Sequence, residues 1–379
     1  MFGLKKKWLA VVWSPWLLGL ALSVALTGGL IAGWFCVIDD HWRADWLGPS
    51  HHLRVSDIWS ALMGTEVGTL GTDNRFKPIF YLHATIETAM FGEHVGLYYA
   101  LRVVYFAAFL GASGWLAARV LGPVMGALLM IGLAGWGVWI NLWTLSLGAT
   151  EQVAIPGITL LILAYGRAAR AFIDDSRLPR WTILAAAAGT GIAAGAKENF
   201  PFLLLPFIVF VTVGMWKKRI RVIDLCYAAP FLAVPALVLY HLWEARSATA
   251  DYYGLDNSIL HRLAAIVNAR VYAGLVAVST LCALLLSWIA WHKAADDRTH
   301  RSIFAALGMV VIANLYLLWE IFFYNDRLPA FNRYDFPSMQ LPLLTLGGIV
   351  ALLHHAAIGR GRWLLLLAHG ALVLCAFIP

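Results

Sequence analysis

"WLAVVWSPWLLGLALSVALTGGLIAGWFCVI", residues 8–38, runs for 31 residues without a charge, directly behind Lys5, Lys6 and Lys7. About 20 apolar residues suffice to cross a bilayer, whereas the apolar core of a cleaved signal peptide is about 7–15 residues long. The stretch therefore reads as a retained signal anchor. Similar runs recur near 97–118, 121–140, 144–165, 181–199, 200–215, 222–241, 269–291, 302–323, 336–357 and 363–378. With the first span at 11–37, the chain reads as an all-α polytopic membrane protein of about 11 transmembrane helices.

Composition agrees with this. Of 379 residues, 61% are hydrophobic and 13% charged, and the mean hydropathy is +0.74. A soluble chain carries roughly a quarter charged residues. The four cysteines stand singly in or beside apolar runs, with no zinc or disulfide spacing, and read as packing residues.

Threading the spans with the N-terminus inside places 17 of the 28 basic and 5 of the 21 acidic residues on one face, +12 against −5 on the other. The positive-inside rule makes the basic face cytoplasmic. The net charge of +7 is then a topology signal, and no basic cluster points to nucleic acid. The expected arrangement is a single membrane domain over 1–379 in the cell (inner) membrane. It has a long first outer loop at 38–96 and no separate soluble domain.

Within that loop, "SDIWSALMGTEVGTL" (56–70) has helical apolar spacing with Ser56 or Asp57 as a cap. "PIFYLHATIETAMF" (78–91) starts with Pro78 at a first helical position, and His83 and Glu87 make it too polar to span. Both read as amphipathic helices in the outer interface. The 242–268 loop has too little periodicity to assign, and 324–335, "YNDRLPAFNRYD", is a further outer link.

Charged residues at membrane depth cost a few kcal/mol each and call for partners or a function. Asp39 and Asp40 follow the first span. Arg102 opens the second span, Glu151 is near the outer end of the fourth, and Lys197 and Glu198 end the fifth. Glu320 is near the outer end of the ninth and reads as structural. In this topology all of them gather on the outer side with Arg75, Lys77 and Arg333. Lys197 and Glu198 also admit a bland reading, as a mutual pair closing a helix. His41, His51 and His52 fit no metal-ligand spacing, so no metal ligand is assigned.

Taken in order, the acidic pair, "NRFKPIFYLH" (74–83), "LYYALRVVYF" (97–106), "ATEQVAIPG" (149–157), "GAKENFPFLLLP" (195–206) and "FNRYDFP" (331–337) form a pattern. It resembles the GT-C class of integral-membrane glycosyltransferases, in the branch of protein O-mannosyltransferases and aminoarabinose transferases. The resemblance spans roughly residues 8–345. It implies inverting transfer of a sugar from a polyprenyl-phosphate donor to a hydroxyl of a glycan, lipid or protein acceptor, at the periplasmic or outer face.

In that family the acid after the first span is the catalytic base. Asp40 and Asp39 both occupy this place, one as base and the other orienting it or holding a divalent cation (Mg or Mn). Arg75, Lys77 and Arg333, with Lys197 and Arg102, are the candidates for the donor phosphate, since fixed cations stabilise the charge growing on a leaving phosphate. Glu151 and Glu198 would accept hydroxyls or orient those cations, and Tyr81 and Tyr334 would stack on a sugar. Trp34, Trp42, Trp46 and Trp59 read instead as interfacial belt residues. The alternatives are a polysaccharide (O-antigen) polymerase or ligase, or a transporter of a lipid-linked substrate.

Overall fold

The computed structural model describes residues 14–35, 41–69, 76–121, 123–135, 142, 147–248, 259–324 and 341–356. Every element among them is helical. Among the described residues six helices are long and apolar enough to cross a membrane, which makes the chain a membrane-embedded helical protein. They lie at 15–32, 95–119, 150–173, 222–242, 272–293 and 297–323. Two shorter apolar helical stretches lie at 200–216 and 344–356. The expected last span at 363–378 lies outside the described residues.

The elements run as α1 (Pro15–Thr27, continued by a 3-10 turn to Ala32), α2 (His41–Leu47), α3 (Ile58–Met63), α4 (Pro78–Phe91), α5 (Val95–Leu121), α6 (Pro123–Ala134) and α7 (Thr150–Ile173). They continue as α8 (Arg180–Ala196), a 3-10 turn (Phe200–Leu203), α9 (Leu204–Trp216), α10 (Val222–Ala248), α11 (Ile259–Asn268), α12 (Arg270–Lys293), α13 (Asp297–Tyr324) and α14 (Leu341–Ala356).

Helices in lipid gain nothing from burying leucine against leucine, so small residues and hydrogen bonds decide which faces meet. On α1, Gly19, Ser23 and Thr27 are buried while Leu17, Leu20 and Val24 face out. A side chain at Gly19 would sit 2.8 Å from the Gly111 amide of α5, and Ser23 donates to the Val103 carbonyl at 2.7 Å. The same logic joins α7 to α8, where a Cβ at Gly157 or at Gly189 would lie 2.6 Å from the other's carbonyl oxygen.

A polar knot ties α12, α13 and α14 together. Asn314 donates to Ser279 and Thr280, both at 2.9 Å, and accepts from Thr345 at 3.0 Å.

At one end of the bundle the basic connections meet. Arg219 pairs with Asp175, Arg180 Nε lies 3.1 Å from Asp224, Arg298 lies 2.8 Å from Asp174, and Arg301 donates to the Ile173 carbonyl. The residues that charge counting assigned to one face thus gather in space at what we call the basic end.

Several boundaries differ from expectation. α7 runs from Thr150 to Ile173 rather than over 144–165, and its first turn holds Glu151, near the helix end as expected. α5 begins at Val95, which puts Arg102 about two turns into the helix. The 242–268 loop contains the end of α10 and the whole of α11, whose buried Arg262 and Ala265 oppose exposed Leu260, Leu263 and Val267. α3 covers only 58–63, and Asp57 at its N-cap accepts from Ser56 instead of capping the helix.

Replacing Gly189 with valine should force α7 and α8 apart and cost about 1–3 kcal/mol. Thermal unfolding in detergent checks this, and an unchanged midpoint would show that the crossing is not a close contact.

Candidate functional site

The end of the bundle away from the basic connections is a buried layer of charge. Its centre is Glu87 on α4. Both of its oxygens are held by the two terminal nitrogens of Arg102 on α5, one contact measuring 2.8 Å. Arg43 Nη1 on α2 adds a third contact at 3.1 Å. Arg43 is fully buried and its Nη2 also donates to the Leu147 carbonyl at 3.3 Å. A bidentate guanidinium–carboxylate pair fixes geometry as well as charge.

This centre makes α4 an inside-out helix. The sequence favours an interfacial helix whose polar side faces water. The structure instead buries Phe80, Ala84, Thr85, Glu87 and Thr88, and exposes Leu82, Ile86 and Met90. The partner charges of Arg43 and Arg102 lie inside, so the carboxylate follows them and the apolar stripe faces outward.

His83, one turn before Glu87, bonds through Nε2 to the Tyr105 hydroxyl at 2.7 Å. Its Nδ1 lies 3.3 Å from Glu87 without hydrogen-bond alignment. Burial pushes His83 below its ordinary value and outweighs the pull of Glu87 in the other direction. Burial alone would raise the Glu87 carboxyl, but Arg102, His83 and Arg43 together hold it well below the usual carboxylate range.

α7 connects this centre to a second group through two consecutive residues. Gln152 accepts from Arg102 Nε at 2.8 Å and donates to the Leu142 carbonyl at 2.6 Å. Its neighbour Glu151 pairs with Lys197, both side chains nearly fully buried. An acid in the first turn of α7 and a base just past the last turn of α8 each suit the local helix dipole. The alternative pairing of Lys197 with Glu198 is therefore not what forms.

At Lys197 the backbone turns extended (φ −151°, ψ 142°) and ends α8. Asn199 then donates to both Glu320 oxygens at 2.9 and 3.0 Å, and its carbonyl accepts from Trp319 Nε1 at 2.9 Å. Glu198 is buried, and its Oε1 has no hydrogen-bond partner among the described residues.

A third group sits at the start of α4. Lys77, directly before Pro78, lies 3.7 Å from Glu66, which accepts from the Tyr81 hydroxyl at 3.1 Å. The Lys77 ammonium also lies 5.6 Å from the Phe80 and Tyr81 ring centres. Trp42 packs edge-on to Phe80 and Tyr81, so this tryptophan belongs to the site rather than to a lipid belt. Trp34 and Trp59 are exposed, as belt residues are.

Of the site residues expected from sequence, Arg102, Glu151 and Lys197 fall in one network, and Glu320, read from sequence as structural, joins it at the 197–199 break. Glu198 lies in the same break, and Lys77 and Tyr81 lie at the start of the helix that carries Glu87. Asp39, Asp40, Arg75, Arg333 and Tyr334 lie outside the described residues. Arg43, Glu66, Glu87, Gln152 and Asn199 were not picked out as site residues. Glu87 carried a signal: an acid whose apolar neighbours at 82, 86 and 90 share one helix face. Among the described residues no cluster of three or more His, Cys, Asp or Glu could hold a metal ion.

Searches of protein-family models, characterised proteins and solved structures found no match to this chain.

Glu87→Gln leaves two buried guanidiniums facing a neutral amide and should destabilise the fold by about 3–5 kcal/mol. A loss below about 1 kcal/mol in detergent unfolding would mean the pairing does not hold α2, α4 and α5 together. His83 predicts a pH effect. Its folded value lies below 6.5, so the unfolded chain takes up the proton first and stability falls as pH drops below about 6.5. Glu87 contributes nothing to that window, because its stabilisation is lost only below its ordinary value of about 4.5. The drop between those two values should be smaller in His83→Gln than in the wild-type chain.

Proposed function

We propose that the chain is a membrane glycosyltransferase of GT-C-like architecture with about eleven spans, N-terminus cytoplasmic. It transfers a sugar, with inversion, from a polyprenyl-phosphate donor to an acceptor hydroxyl at the outer membrane face. The observation that carries this reading is the anchoring of Arg43. This residue follows Asp39–Asp40 by three positions and is locked by Glu87 and the Leu147 carbonyl into a buried layer of charge. A layer of fixed, buried charge of this kind supplies preorganised electrostatics to a two-substrate reaction.

In the proposed step the acceptor oxygen attacks the anomeric carbon from the face opposite the phosphate. As that bond forms, the hydroxyl proton passes to the Asp39 or Asp40 carboxylate, and the carbon–oxygen bond to the phosphate breaks with its electron pair. The polyprenyl phosphate leaves with added negative charge. Lys77, whose contact with Glu66 is the longer one at 3.7 Å, is the favoured direct contact to it, together with Arg75 and Arg333. Arg102 and Lys197 are already engaged by Glu87 and Glu151, so they act as fixed positive background and position their neighbours. Glu198, buried with an oxygen unpartnered among the described residues, is suited to accept a sugar or acceptor hydroxyl. A divalent cation (Mg or Mn) beside the two aspartates is compatible with this scheme.

The test uses the purified full chain in proteoliposomes, with a panel of polyprenyl-phosphate sugars and release of polyprenyl phosphate as the readout. Asp39→Asn or Asp40→Asn should lower release by about 100-fold or more at unchanged thermal stability. Full activity in both single variants and in the double variant would overturn the base assignment. Movement of an intact sugar lipid across the bilayer without release would support a transporter instead.

A further inference from the structure

The basic end carries a feature that sugar transfer does not use. A shallow, open depression holding about 410 Å³ lies there between the C-terminus of α7 and the N-terminus of α13, lined by Ile173, Asp174, Arg298 and Arg301. Asp174 is shared between Arg298, at 2.8 Å, and Arg170, at 3.3 Å. Arg301 spends only its Nε, on the Ile173 carbonyl at 3.0 Å. Its terminal nitrogens make no hydrogen bond or ion pair among the described residues, so a planar two-pronged donor remains for an anion.

The surface below Arg301 is apolar and runs straight down α13. Phe304, Gly308, Val311 and Leu315 follow at helical spacing on one face. The three side chains are exposed, at 54%, 37% and 42%, and nothing lies within 4 Å of where a Gly308 side chain would be. An exposed apolar face with a notch at Gly308 beneath a cationic rim has the polarity of a phospholipid, with its charge at the interface and its chain in the bilayer.

We propose that this end of the bundle binds an anionic phospholipid, its phosphate on Arg298 and Arg301 and an acyl chain along α13 past Gly308. Charge complementarity favours the anionic class. The connections at this end hold a large excess of basic residues, and Asp175 and Asp174 are already paired with arginines. The continuous apolar stripe favours a lipid over a soluble phosphate.

The test is retention of lipid by the full chain in nanodiscs of phosphatidylcholine titrated with phosphatidylglycerol, read by native mass spectrometry. The wild-type chain should retain phosphatidylglycerol on the order of ten-fold over phosphatidylcholine. The Arg298→Gln/Arg301→Gln double variant should fall to parity. Asp174→Asn, which removes the competing carboxylate, should raise the preference. Gly308→Leu fills the notch without touching a charge and should weaken retention of phosphatidylglycerol several-fold.

Equal preference in the wild-type chain and the arginine double variant would overturn the proposal. So would displacement of the lipid by inorganic phosphate combined with no effect of Gly308→Leu, which would make the site a soluble-anion site.

Discussion

Everything at the polar end of this bundle depends on one buried carboxylate, Glu87, held by two guanidiniums from different helices. A charge removed from water is tolerated only when paired and hydrogen-bonded. That requirement places three elements at once: α2 through Arg43, α4 through Glu87 and α5 through Arg102. Gln152 then carries the constraint into α7, and its neighbour Glu151 passes it on to α8 through Lys197. Five helices are thereby registered by side chains that must find one another, whereas their apolar surfaces would slide without penalty in lipid.

The same physics explains why the helices look inside-out. α1 buries a glycine, a serine and a threonine and turns leucines outward, and α4 buries a glutamate and turns Leu82, Ile86 and Met90 outward. Against water this arrangement would be costly. Against a bilayer it is the favourable one, because exposed leucine is already in its solvent and the buried Ser23, Thr27, Glu87 and Thr88 each have a partner. The Asn314 knot of α12, α13 and α14 follows the same rule with neutral groups.

Composition and run length made membrane embedding and all-helical structure legible in the sequence, since both rest on period and hydropathy alone. Charge counting also identified residues that do gather at one end, such as Arg219, Arg298 and Arg301. A join near 199/200 was readable too, although the helix before it ends three residues earlier, at Ala196, where Lys197 turns extended. Pairing was not readable. The apolar stripe at 82, 86 and 90 hints at Glu87, which becomes a centre only when Arg43, 44 positions earlier, and Arg102 converge on it. Arg102 and Lys197 stood out as costly charges, and the partners that make them tolerable are Glu87 and Glu151, each distant along the chain. Helix ends shifted for a related reason. Thr150 begins α7 and puts Glu151 in the first turn, where the helix dipole and Lys197 both favour it.

The chain thus has two chemically distinct ends: one with buried, paired charges beside Glu198 and Lys77, the other with exposed arginines. The proposed sugar transfer needs the first of these to face the donor phosphate. Photo-crosslinking with a polyprenyl-phosphate analogue carrying the reactive group near its phosphate tests this most directly. The account predicts label within residues 66–81 and 195–203, diminished by Lys77→Gln. Label confined to residues 173–180 and 293–301 at the basic end would contradict it.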